Sequence, residues 1–156
     1  MQISEQTLLV ADFRISREQT ILPALYNEAF DQADLNCRCM SFELTTDLIE
    51  KSMDAIRTLR MIGAHISSPL SSLILPYLDD TDQSVRLCGA ANAVVNDNGR
   101  LIGYFLPGTA GDEITVQSDT MLSQCAAAFR LWTGRDMPLD YIKLWLSVSS
   151  KQQVDY

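Results

Sequence analysis

The spacing of apolar residues changes period several times along the chain, and each change marks an element. Residues 7–13 (TLLVADF) are a short apolar run and predict a buried strand. Over residues 17–33, Ile21, Leu22, Leu25, Ala29 and Phe30 recur at spacings of three and four, which is one face of a helix. Pro23 suits that helix only near its start. Residues 36–44 (NCRCMSFEL) alternate and predict a second strand, with Cys37 and Cys39 on one face. Thr46 or Asp47 is placed to cap a helix ending near Arg60, with Leu48, Ile49, Met53, Ile56 and Leu59 inward. Residues 61–67 predict a third strand, and Pro69 opens a helix reaching about Leu78.

Residues 82–87 form a short helical piece stopped by Gly89. Two strand patterns, 91–96 and 100–105, flank Asp97-Asn98-Gly99, a hairpin composition. Residues 106–118 hold Pro107, Gly108 and Gly111 without helical period. Residues 119–132 are a helix closed by Gly134, and Pro138 starts another that runs to about Val148 before a polar tail. This order predicts an α/β domain of three layers, with a mixed, mainly parallel sheet and helices on both faces. The first three strands are expected to be parallel through right-handed crossovers. The whole of 1–156 reads as one domain: an α/β core over 1–105, a linker over 106–118 and C-terminal helices over 119–149.

Charge narrows the partners. With 12 Lys+Arg against 20 Asp+Glu the net charge is −8, which disfavours nucleic acid and anionic membrane surfaces. No basic start with a long apolar stretch appears, and no window approaches the ~20 apolar residues of a membrane span. The expected location is cytoplasmic. Cys37, Cys39, Cys88 and Cys125 lack zinc spacing and read as reduced thiols. Asp79, Asp80 and Asp82 read as a solvated turn rather than a metal site. Trp132 and Trp145 read as core or interface anchors on apolar helix faces. His65 is the single histidine; Ser67, Ser68, Ser71 and Ser72 lie near it in sequence, but no orienting carboxylate is placed beside it. A packed histidine is therefore expected, not a nucleophilic pair.

Residues 63–104 (GAHISSPLSSLILPYLDDTDQSVRLCGAANAVVNDNGRLIGY) resemble the substrate-binding domain of shikimate dehydrogenases. That family reads G-x-N-V-T-x-P-x-K, then a helix, then G-A-x-N-T, then a hairpin ending in G-Y-N-T-D. Upstream, TILPALYNEAF resembles the family's S-x-S-P-x-x-H-N-x-x-F. Downstream, TMLSQCAAAFRLWTGRDMP resembles its C-terminal helix, M-L-V-x-Q-A-A-x-A-F-x-L-W-T-G-x-x-P. In the family a Rossmann domain for the nicotinamide cofactor lies between the last two blocks. Here only residues 105–119 separate them, and no G-x-G-x-x-G occurs in the chain. The resemblance thus implies a substrate domain with its returning helices and no cofactor domain or bound cofactor.

The resemblance also implies a site. The family's S-x-S hydroxyls, which hold the substrate carboxylate, fall on Thr20 and Leu22. The Asn and Thr of N-V-T fall on His65 and Ser67, the Asn of G-A-x-N-T on Asn92, and the Gln of M-L-V-x-Q on Gln124. The catalytic Lys falls on Ser71 and the catalytic Asp on Pro107, so the proton-handling pair of the hydride transfer is lost and no catalytic residue is expected. Thr20, His65, Ser67, Asn92 and Gln124 remain as substrate-binding candidates for shikimate or a similar small polyhydroxy acid. The leading expectation is a non-catalytic binding domain, leaning away from an enzyme. Two alternatives stay open: an interaction or regulatory module with a vestigial pocket, and a dehydrogenase half that needs a separate NADP-binding chain. Phe105, Leu106 and the Trp145 helix supply apolar surface for a homodimer.

Overall fold

The computed structural model describes residues 3–15, 20–107 and 119–152. Its strands are β1 (Leu8–Arg14), β2 (Cys37–Glu43), β3 (Gly63–Ile66), β4 (Asp80–Thr81), β5 (Ala93–Asp97) and β6 (Arg100–Tyr104). Its helices are α1 (Leu22–Gln32), α2 (Ile49–Thr58), α3 (Leu70–Leu73), α4 (Gln83–Cys88), α5 (Asp119–Thr133) and α6 (Leu139–Gln152). The strands form one sheet in the order β2-β1-β3-β5-β6-β4. β1 pairs in parallel with β2 and β3, and β5 is antiparallel to both β3 and β6, as the sequence pattern predicts. The hairpin closes through Asn98 and Gly99, both with positive φ (51° and 94°), the twist that a two-residue connection between strands requires.

Alternation along the strands divides the core in two. Val10, Cys37 and Cys39 face α1, α5 and α6, where Leu25, Tyr26, Phe30, Phe129, Trp132 and Ile142 complete one cluster. Ala11, Phe13, Ala64, Ile66, Val94 and Leu101 face the other way, onto Met53, Ile56, Leu70 and Val85. Helices therefore cover both faces of the sheet, giving the three layers expected. Among the described residues no helix is long and apolar enough to cross a membrane.

Four local expectations are corrected. The helix expected from Pro69 to Leu78 breaks into α3 and a 3-10 turn at Leu75–Tyr77. Pro76 is the cause: it has no N–H to donate and its ring crowds the carbonyl one turn back. Neither Thr46 nor Asp47 caps α2, because a 3-10 turn over Thr46–Leu48 precedes it and the capping position, Leu48, has no side-chain acceptor. The last helix continues to Gln152, past the end expected near Val148 and into the polar tail. The two-residue β4, absent from the sequence reading, is held parallel to β6 through Asp79 N–H to Leu101 O and Asp82 N–H to Gly103 O, both 2.9 Å. The expected linker over 106–118 lies, from residue 108 onward, outside the described residues.

The acidic group at this edge is structural. Asp79 accepts from Arg57 Nη2 at 2.9 Å and from Leu101 N at 2.8 Å, Asp80 pairs with Arg100 at 2.8 Å, and Asp82 caps α4 through Ser84 N at 2.9 Å. Among the described residues no group of three or more His, Cys, Asp or Glu side chains could hold a metal ion.

Candidate functional site

The site lies where β1 and β3 end, on the sheet face that carries α1 and α5. Parallel pairing puts Asp12 of β1 opposite His65 of β3 and, on its other side, opposite Ser41 of β2. Arg14 follows Asp12 by two and so points to the same face. Asp12 is fully enclosed, at 0% exposure, and His65 is 8% exposed. His65 Nδ1 lies 3.0 Å from Asp12 Oδ1. Arg14 grips the other oxygen through Nε at 3.0 Å and Nη2 at 2.9 Å, and the Ser41 hydroxyl donates to it as well. Burial alone would raise the Asp12 carboxyl, but the hydrogen bond and charge of His65, the Ser41 hydroxyl and the Arg14 guanidinium bring it below the usual aspartate value. Asp12 is therefore an ionised acceptor, and His65 meets it with Nδ1–H. The imidazole tautomer is fixed in that way, and Nε2 faces away from the carboxylate.

This pair corrects the sequence reading, which placed no carboxylate beside His65. Asp12 was hidden because 53 residues separate the partners and it sits within an apolar run that reads as core. The available signal was parity: in a buried strand with a polar residue at one position, the partner must come from a neighbouring strand. Of the serines near it in sequence, Ser67 donates to Phe13 O and Ser72 to Pro69 O.

The residues singled out in the sequence have unequal freedom. Ser67 sits just past β3, and its hydroxyl donates to Phe13 O at 3.0 Å. It can then only accept from a ligand. Asn92 clamps the backbone of Leu106, donating from Nδ2 to Leu106 O at 2.9 Å and accepting Leu106 N–H at Oδ1, 2.7 Å. One amide N–H remains for other use. Thr20 Oγ1 accepts Leu22 N–H at 3.2 Å at the start of α1, leaving its own O–H to donate. Leu22, at the second family hydroxyl position, is packed in the core at 3% exposure. Gln124 on α5 is 7% exposed, and its amide forms no hydrogen bond to the described residues. That amide is not among the wholly enclosed unpartnered atoms. Ser71 contributes its carbonyl to Ala91 N–H at 2.8 Å, and Pro107 lies exposed beyond β6.

Tyr26, Cys39 and Cys125 are buried together, and the Tyr26 hydroxyl has no oxygen or nitrogen partner. Burial pushes the thiols up, to about 12 for Cys37 and about 11 for Cys125, with Cys39 raised as well. Cys88 is the one exposed cysteine of the four. In the folded chain an aromatic disulfide reagent is expected to titrate one thiol quickly, with the other three released only on denaturation. Rapid labelling of two or more would contradict the packing.

Among the described residues no strand leads through a G-x-G-x-x-G turn into a helix.

Comparison with known proteins agrees with this geometry. The profile of the shikimate dehydrogenase substrate binding domain matches residues 17–94. The NADP(+)-dependent shikimate dehydrogenase of Streptococcus gordonii is 39% identical over 104 residues, 67% of this chain but 36% of that protein. The chain thus spans little more than a third of the curated relatives it matches. The crystal structure of shikimate dehydrogenase from Aquifex aeolicus superposes with a TM-score of 0.64 at 26% identity, over 66% of this chain and 39% of that one. That of shikimate 5-dehydrogenase from Listeria monocytogenes, in complex with shikimate and NAD, gives a TM-score of 0.82 at 17% identity. It covers 94% of this chain and 98% of that one, so the likeness in fold extends to α5 and α6. With half its length matched by that family's profile, this chain belongs to the shikimate dehydrogenase substrate-binding domain family.

Proposed function

We propose that this chain binds shikimate or a similar small polyhydroxy acid and does not itself transfer hydride. The reading is supported by hydrogen-bonding capacity left over after the described partners are counted: the Thr20 hydroxyl, the second Asn92 N–H, the Gln124 amide and the second ring nitrogen of His65. Neutral donors and acceptors from four separate segments suit a ligand rich in hydroxyls. The loss of catalysis is supported by Ser71 and Pro107, neither of which can exchange a proton near neutral pH, standing where the family has Lys and Asp.

Millimolar shikimate, 3-dehydroshikimate or quinate is expected to raise the melting temperature. At ten times Kd the stabilisation is about 1.4 kcal/mol, or roughly 4 °C for a chain of this size. With NADP+ and shikimate the absorbance at 340 nm should stay flat, and a steady rise would refute the non-catalytic half of the proposal. The competing reading, an interaction module with a vestigial pocket, is favoured by the commitment of Asn92 and Ser67 to backbone partners. No thermal shift with any of the three acids would decide for it.

A further inference from the structure

The two outer edges of the sheet are β4 and β2, and they are closed in different ways. β4 is two residues long and carries the Asp80–Arg100 ion pair. β2 is seven residues long, enough to template a strand from another chain if left open. Leu8 N–H donates to Asn36 O and Leu44 N–H to Arg14 O, so the even-numbered residues of β2 turn their backbone groups inward, to β1. Those of Cys37, Cys39 and Ser41 turn outward. Cys37 N–H donates to Leu35 O at 2.8 Å, and Cys37 O accepts from Arg38 Nη1 at 3.0 Å. Arg38 is itself held by Asp31 of α1 at 2.7 Å. Cys39 is closed by a single side chain of α1. Its N–H donates to Asn27 Oδ1 at 2.7 Å, and its C=O accepts from Asn27 Nδ2 at 3.1 Å. The Asn27 amide fills the place that a peptide group of an added strand would take. Ser41 is exposed, and among the described residues its N–H and C=O have no partner.

Between Cys39 and Ser41 stands Met40, an apolar side chain left 52% exposed in the middle of a strand. A second β2, antiparallel and related by a two-fold axis through Met40, sets Cys39 of each copy against Ser41 of the other. The two Met40 side chains then meet at the axis, in the closely spaced position of the ladder, and cover one another. Both residue pairs flanking the axis include Cys39, whose backbone Asn27 already holds. We propose that the β2 edge is a self-complementary surface for a second copy of this chain, and that Asn27 keeps it shut by occupying Cys39. This closure is independent of any ligand at the site.

Asn27→Ala leaves Cys39 open to pair. In sedimentation velocity at sub-millimolar protein, it should show double the mass of the natural chain. Adding Met40→Lys sets two cations opposite each other at the axis and should return the mass to that of the natural chain. Leu144→Lys, at an exposed position of α6, should not. Residue-resolved hydrogen exchange reads the edge directly. In the natural chain the Cys39 amide should exchange slowly and the Ser41 amide fast. In Asn27→Ala the Ser41 amide should slow by about ten-fold or more as protein concentration rises. Asn27→Asp, of the same size, carries the test if the alanine variant does not fold. It keeps an acceptor for Cys39 N–H but frees Cys39 O, and should raise the average mass above that of the natural chain. A folded variant at position 27 with unchanged mass, reversal by Leu144→Lys rather than Met40→Lys, or a Cys39 amide that exchanges as fast as that of Ser41 in the natural chain would each overturn the proposal.

Discussion

Gly63→Ala is expected to destabilise the fold by about 3 kcal/mol, lowering the melting temperature by roughly 10 °C. A Cβ at this position would lie 2.3 Å from the carbonyl oxygen of Val94 and 2.4 Å from Trp132 Nε1. The first is backbone of the paired strand β5 and cannot swing aside. The second belongs to an indole whose N–H donates to that same carbonyl at 3.0 Å in a buried setting. Trp132 occupies the space that a side chain on residue 63 would take. Alanine must therefore both strain the β3–β5 ladder and disturb a buried hydrogen bond, and a buried donor left unpaired costs about 1–3 kcal/mol by itself. Urea denaturation measures the loss. Trp132→Phe, which shortens the ring system and removes the donor, should be destabilising alone but should make Gly63→Ala less costly in the double variant. The residual cost would then be the clash with Val94. Strict additivity of the two changes would show that they do not share this space.

The Gly63–Trp132 contact also shows what the sequence makes legible. Trp132 reads as an anchor because it lies on an apolar helix face, and the helix ends where Gly134 stops it. That the indole needs a glycine 69 residues earlier is a matter of tertiary approach, which periodicity does not encode. The strands and their parallel order are legible because buried runs and alternation have distinct periods. The broken helix after Pro69 was legible too, had Pro76 been weighed as a breaker rather than passed over within an apolar run. The site divides along the same line. Thr20, Ser67, Asn92 and Gln124 came from a resemblance that assigns positions but not hydrogen-bond partners. The structure adds that Asn92 and Ser67 bond backbone while Gln124 does not. Asp12 belongs to no motif, and it became visible only when strand pairing set it beside His65 and Ser41.

Asp12→Ala should be the most damaging single change near the site, at about 3–5 kcal/mol. The side chain is fully enclosed and neutralises Arg14, whose own side chain is 14% exposed. Its removal leaves a guanidinium, an imidazole N–H and the Ser41 hydroxyl without their common acceptor. Breaking a buried pair from one side costs more than the pair contributes, because the orphaned charge keeps its desolvation penalty. Asp12→Asn keeps the shape and one acceptor oxygen, so it should fall between the alanine variant and the natural chain. The pH dependence separates the electrostatic part from packing. Because the folded carboxyl titrates below its ordinary value of 3.8, ionised Asp12 contributes stability that is complete above that value and is lost as pH falls through the lowered folded one. The natural chain should therefore lose stability on acidification below about pH 4, and Asp12→Asn should lose less over the same interval. Equal acid sensitivity in the two would mean that other carboxylates, such as Asp79 or Asp82, whose hydrogen bonds also lower them, govern the acid limb.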